Sequence, residues 1–447
     1  MPHPFGKNQD IQNAEDTSGF TRRDFFKFLA GSAVSLAFLD GATASVYQSI
    51  KTLNQKYLGD ESPDGLYWEG IRSQFLFEDG LIMMNNGTVG PMPKPVFNTL
   101  MRYFKLQATN PYDVYNFLPT FKEATRAKLA SFIHATPEEV VLSHNTTEGL
   151  NFVTSGLDMK EGDEVVVSNM EHPGSINPWK LKQKRYGIVI KEVPFGLPPK
   201  SVDEIVGTIA AAITPRTKII SLGHTVYISG LISPLKEISQ MAHEKGLLVL
   251  GDSAHGLGMV DLNMKEMGID FFASSPYKWL GAPTGIGLFF IRKEAQDKVW
   301  PTIVTGGWDT HKDARKFDTH GQDADALIFA LDEALNFANA IGPARIERRI
   351  KALAGQLKQE LRKIPGVKIH TPDDPYLSAG LTAFSLEGVD PERIVDYVRE
   401  KYNIVVRTIG SKDAGTLAVR VSTPIYVTTE DVAKLVEGIR TLAAHRA

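Results

Sequence analysis

Leu247-Leu-Val-Leu-Gly-Asp252-Ser-Ala-His255 is followed, farther along the chain, by Phe271-Phe-Ala-Ser-Ser275-Pro-Tyr277-Lys278-Trp279. Each stretch is a short apolar run that ends in polar residues. The first has the length and flanks of a fully buried strand, and it delivers a carboxylate at its end. In an open α/β sheet, ligands sit outside the carboxyl ends of the strands. Taken alone, Asp252 is a turn or N-cap residue, and His255 is a surface histidine with its own partners. The second run places a lysine directly after an apolar strand, whereas a lysine normally stays solvated. Gly281-Ala-Pro-Thr-Gly-Ile-Gly287 then permits close approach of backbone to a ligand. The context singles out Lys278; the residue type alone does not.

Working outward, the same β-α alternation extends over about 120–295. Strands are predicted at 139–142, 164–168, 188–193, 218–222, 247–250, 271–274 and 287–291, with helical patterns such as 201–213 and 234–245 between them. This alternation predicts a mostly parallel seven-stranded sheet with helices on both faces. After about 320 the pattern changes. A long helical stretch, 324–363, is interrupted near Gly342-Pro343, and strands at 367–370, 381–385 and 417–422 and helices at 391–401 and 429–444 follow. That reads as a smaller C-terminal α+β domain. The predicted division is an N-terminal segment 1–44, an arm 45–90, a large domain 91–335 and a small domain 336–447.

The 447 residues carry a formal net charge of -3, so no basic excess points to nucleic acid or to an anionic membrane surface. There is no cysteine, which excludes disulfides, thiolate metal sites and cysteine nucleophiles. Thr21-Arg22-Arg23-Asp24-Phe25-Phe26-Lys27, a weakly apolar run over 28–39 and Ala42-Thr43-Ala44 resemble a twin-arginine export signal with its cleavage site. That run is too short to span a bilayer, which takes about 20 residues. The expectation is a periplasmic protein, exported already folded through the twin-arginine machinery, without stable membrane insertion.

Other motifs lie at predicted strand ends. Val140-Val-Leu-Ser-His-Asn145-Thr146-Thr147-Glu148-Gly149 reads as strand, polar turn and helix start. Backbone N–H groups and hydroxyls there suit a phosphate; simple N-capping is the plainer reading. Glu171-His172 follows the next strand, where an imidazole could lie flat on a conjugated ring. No G-x-G-x-x-G turn follows an early strand and no H-E-x-x-H spacing occurs, which argues against a nicotinamide dehydrogenase and a zinc hydrolase.

Together these motifs resemble the class V aminotransferase family, which includes cysteine desulfurases and isopenicillin N epimerase. The resemblance covers roughly 80–440. Asn85-Asn86-Gly87 with Gly90-Pro91 is similar to the family's opening turn, Thr146-Thr147-Glu148 to its phosphate-binding segment, and Glu171-His172 to its ring-stacking histidine. Asp252-x-Ala-His255, Ser275 with Lys278, and Arg420 in Ala418-Val-Arg-Val-Ser422 match further family positions. The resemblance implies an aspartate-aminotransferase-like fold of type I and the cofactor pyridoxal 5'-phosphate. It implies Lys278 as the covalent anchor and catalytic base, Asp252 on the ring nitrogen, His172 stacked on the ring and His255 near the phenolic oxygen. Thr146, Thr147, Ser275 and Tyr277 are then the cofactor's polar contacts, Arg420 takes a substrate carboxylate, and Asn86 and Gly87 border the substrate. A homodimer with the site at its interface, and a small amino-acid or peptide substrate, are also implied.

Tyr277 stands where the family usually has histidine, and Tyr227 where a small residue or asparagine is common. Thr319-His320-Gly321-Gln322-Asp323 follows the family's segment only loosely. Without cysteine, the loop 407–415 has no thiol to accept sulfur, so a cysteine desulfurase is excluded. Transamination and epimerisation remain open, as do a C–S lyase and a periplasmic enzyme that tailors siderophore peptides. A non-catalytic binding protein of the same fold is the alternative of another class.

Overall fold

The computed structural model describes residues 41–56, 65–199, 201–319, 321–412 and 415–445. The Arg22-Arg23 signal and His320 lie outside them. Seven short runs form one sheet: β1 (Val140–Ser143), β2 (Glu164–Ser168), β3 (Val189–Val193), β4 (Thr217–Gly223), β5 (Leu248–Ser253), β6 (Phe271–Ser274) and β7 (Gly287–Ile291). Their order is β1-β7-β6-β5-β4-β2-β3. β7 runs antiparallel to β1 and β6, and every other pair is parallel. All seven predicted strands are present, shifted by one to three residues at their ends where they differ.

The hydrophobic pattern explains the architecture. β1, β2, β6 and β7 are buried along their whole length, as expected of strands covered on both faces. Phe271, Phe272, Leu288 and Phe289 are almost wholly enclosed, and burying such a side chain contributes roughly 1.5–3 kcal/mol. β3, at the sheet edge, is mostly exposed or half-buried. The helices start where capping residues stand. Asn145 accepts from the Glu148 amide (3.0 Å) ahead of Thr146–Gly156, and Ser201 from the Glu204 amide (3.1 Å) ahead of Val202–Ala212.

A second, antiparallel sheet contains β8 (Val367–Ile369), β9 (Leu381–Leu386), β10 (Arg407–Ile409) and β11 (Ala418–Ser422), in the order β10-β11-β9-β8. β10 is a correction: 407–415 reads as a loop because three residues beginning with arginine carry no strand pattern. Their pairing with β11 supplies what local propensity does not. The helical stretch after 324 divides into Asp325–Ile341 and Pro343–Leu361 around Gly342, as the Gly-Pro pair predicts.

Residues 46–56 and 65–89 are built into the fold. Helices Gly41–Lys56 and Leu66–Arg72 are followed by a two-residue strand, Ile82–Met83, which pairs in parallel with Ile404–Val405. Arg72 forms an ion pair of 2.6 Å with Asp431, and Tyr67, Ile71 and Phe75 join the core. Val46–Ala447 form one compact unit. Among the described residues no helix is long and apolar enough to cross a membrane, and no group of three or more His, Cys, Asp or Glu side chains could hold a metal ion.

Candidate active site

The carboxyl ends of β2, β4, β5 and β6 open onto a cleft of about 540 Å³ that includes Asp252, His255, Lys278, His172, Thr146 and Ser275 in its wall. Thr147 and Tyr277 line it too, so every residue predicted to touch the cofactor reaches one cavity. Asp252 lies one residue before the end of β5, in register with Ala273 of β6, and the short turn after β6 brings Lys278 to the same cleft.

Burial dominates the electrostatics. It pushes the Asp252 carboxyl up; a hydrogen bond from the Ala254 amide (3.1 Å) and the neighbouring His172 and Lys278 pull it back. Burial pulls the Lys278 amine down to about 8, opposed by the Asp252 carboxylate and assisted by Arg420 and Arg407. A lysine in that range is neutral in a substantial fraction of molecules near neutral pH. His255 is buried and held well below its ordinary range, chiefly by desolvation, and its Nδ1 accepts from the Trp279 indole N–H (3.4 Å).

One end of the cleft is rich in donors. The Thr146 amide, first in its helix, donates to the Ser275 hydroxyl (3.2 Å), and the two hydroxyls are 2.7 Å apart. Thr225, which lies just past β4, also lines the cleft, and its buried hydroxyl has no partner among the described residues. Sequence reasoning missed Thr225, although its position two residues past a parallel strand was the signal.

His172 caps the helix Pro173–Tyr186. Its Nδ1 accepts from the Gly174 amide (3.0 Å), which places the ring proton on Nε2. Its ring meets Tyr227 edge to face, with centroids 4.9 Å apart and planes at 85°. Glu171 turns inward, accepting from Ser168 (2.6 Å), Ser175 (3.3 Å) and the Gly223 amide (3.2 Å). Burial raises it to about 7, and Asp252 adds to that rise.

The turn at 85–88 frames the far side. Asn86 donates to the Lys278 carbonyl (2.8 Å) and accepts from the Tyr426 hydroxyl, so its side chain braces the lysine turn. Gly90 donates to the Tyr277 carbonyl (3.0 Å), and a Cβ there would lie 2.2 Å from the Lys278 carbonyl oxygen. Gly87 donates to Ser422 (3.0 Å), and a Cβ on it would lie 2.4 Å from Arg420 Nη2. Gly90 needs glycine because backbone occupies the space, whereas at Gly87 a side chain would displace the Arg420 guanidinium. Arg420, buried on β11, reaches the Tyr227 carbonyl (3.2 Å) and the Thr88 hydroxyl (3.4 Å), and its Nε is unpartnered.

The model of the family described as aminotransferase class V matches residues 83–435. Isopenicillin N epimerase from Streptomyces clavuligerus is 27% identical over 394 residues, covering 84% of this chain and 98% of its own. A probable cysteine desulfurase from Methanothermobacter thermautotrophicus is 26% identical over 388 residues, covering 81% and 94%. Among solved structures, a mutant of C-DES with glycine covalently linked to its PLP cofactor superposes with a TM-score of 0.74 at 24% identity, covering 83% of this chain and 98% of its own. A matched span that starts at the turn of Asn86 and runs past Arg420 takes in every residue predicted for the site, and the chain belongs to the class V aminotransferase family.

Proposed function

We propose that this chain binds pyridoxal 5'-phosphate covalently through Lys278 and acts at the α-carbon of an amino acid or an amino-acid-containing substrate. One observation carries the reading: a lysine with a depressed pKa and a buried carboxylate share one cleft at the carboxyl ends of adjacent parallel strands. The residues present fit the cofactor. The Thr146 helix start and the hydroxyls of Thr146, Thr147 and Ser275 suit a phosphate, and the unpartnered Thr225 hydroxyl offers a buried polar group to the same ligand. Asp252, pushed up by burial, gains most from a cationic partner set against it.

When bound, the cofactor supplies a conjugated cation that accepts the electron pair released at the α-carbon. The protein does the rest. Arg420 holds the substrate carboxylate in a desolvated setting, where a charge-assisted pair is strong. That grip fixes which bond on the α-carbon stands out of the ring plane. Lys278 Nζ, neutral near its pKa of about 8, takes the α proton and returns it. His172 lines the cleft, and desolvation pulls its imidazole below the ordinary range against the opposing pull of Asp252. The chain has no cysteine to accept sulfur, so the reaction is not that of a desulfurase that forms a persulfide on its own thiol.

Incubating the loaded protein in heavy water with amino acids and short peptides tests the reading. Deuterium at the α-carbon with loss of configuration identifies an epimerase, and a keto product identifies a transaminase. No exchange with any amino-bearing compound, together with no cofactor uptake, sinks the reading.

Gly87→Ala provides a second test. The new methyl overlaps the Arg420 guanidinium and forces it off its position. A displacement of about 1 Å in a positioning group costs up to ~100-fold, so KM rises by that order while cofactor absorbance stays. Steady-state kinetics read both.

A further inference from the structure

Arg420 is not the only guanidinium whose charge reaches Lys278; Arg407 does so too. β10 and β11 are antiparallel, and their register puts Arg407 directly opposite Arg420. Directly opposed residues on an antiparallel pair point to the same face. The side chains meet at one atom: Arg407 Nη1 donates to the Thr88 hydroxyl at 3.0 Å, and Arg420 Nη2 donates to the same oxygen at 3.4 Å. That oxygen spends its own proton on Asn85 Oδ1 (3.0 Å), in a turn closed by the Thr88 amide on the Asn85 carbonyl (2.9 Å). The hydroxyl is thus fixed as an acceptor between two guanidinium groups. Gly87, in the same turn, leaves room for Arg420 to pass.

Neither arginine has a carboxylate partner among the described residues. Arg420 is 3% exposed with its Nε unpartnered, whereas Arg407 is open to solvent. Two like charges held side by side repel, and a neutral hydroxyl does not compensate them. One substrate carboxylate satisfies one guanidinium fork. The second fork, on the solvent side of the first, then still lacks its anion.

We propose that Arg407 makes this cleft selective for amino acids that carry a second acidic group, with Arg420 taking the α-carboxylate and Arg407 the side-chain carboxylate. This rests on the functional reading above and names its substrate class. The hydroxyl of Thr88, which accepts from both guanidinium groups, is the positioning group that holds the two forks side by side.

The experiment is calorimetric titration of the cofactor-loaded protein with succinate, glutarate and butyrate, which needs no turnover. The expected result is dicarboxylate binding tighter than butyrate by about tenfold or more, the scale of one charge-assisted pair. In Arg407→Gln that ratio collapses toward one. Equal affinity of the wild-type protein for the dicarboxylates and butyrate overturns the proposal without any variant. So does a ratio unchanged in Arg407→Gln, which would mean that both arginines share one carboxylate. Cofactor absorbance, recorded in the same cell, keeps the outcomes distinct. A protein that takes up no cofactor fails the functional reading, and a loaded protein without a dicarboxylate preference fails this inference alone.

Discussion

Replacing Lys278, the proposed covalent anchor, by alanine is expected to make the visible absorbance of the loaded protein disappear on dialysis. Turnover falls by ~10⁴-fold, the upper range for loss of a positioned acid-base group. Three features make this the largest effect. The amine sits in the cleft with Asp252, its pKa is pulled down to about 8, and among the described residues no other lysine lines the cleft. The fold survives, because Lys278 makes its backbone contacts through Asn86 and Ser275 and not through its amine. Removing a desolvated cation also relieves a cost, so the cofactor-free variant melts no lower than the parent protein. A small primary amine added to Lys278→Ala restores part of the rate, which a merely misfolded variant would not show. Retention of the absorbance through dialysis rules out Lys278 as the anchor.

The large sheet was legible because its strands are short apolar runs bounded by polar turns, and burial on both faces writes that pattern directly into sequence. Asp252 and Lys278 were legible for the same reason: each follows such a run. The helix start at Thr146 was marked by Asn145, which caps it beside the cleft; that His172 caps the helix Pro173–Tyr186 was not read from the sequence. Arg407 was not legible as a site residue. Its strand is three residues long, and its partner is set by tertiary register. Thr88 was missed because a lone threonine in a turn carries no pattern, and only the folded chain brings Arg407 and Arg420 to its hydroxyl. Asn86 was predicted to border the substrate, whereas its side chain is committed to Lys278 and Tyr426. A turn motif names the residues that must be present without naming which face each one serves.

Asp252→Asn is expected to separate two roles of one carboxylate. The Lys278 pKa reflects desolvation, which lowers it, against the Asp252 charge, which raises it. Asparagine keeps the shape and removes the charge, so only the downward pull remains and the lysine pKa falls below about 8. The neutral amine is the nucleophile that captures the cofactor, and its fraction grows as pH rises through the pKa. Capture by the cofactor-free parent protein therefore rises through about pH 8, and in Asp252→Asn the midpoint moves to lower pH. Turnover moves the other way. With no anion set against the ring nitrogen, the charge that stabilises the developing carbanion is lost, at a cost of ~10²–10³-fold, the scale for one preorganised electrostatic group. Stopped-flow absorbance of cofactor uptake against pH and steady-state turnover at a fixed pH read the two effects separately. A variant that captures cofactor with the parent's pH midpoint would show that Asp252 does not act on Lys278. A variant that turns over at the parent's rate would show that it does not act on the ring. Because burial holds the carboxyl and the amine in one low-dielectric cleft, the same substitution has to lower the lysine's pKa and weaken the chemistry together.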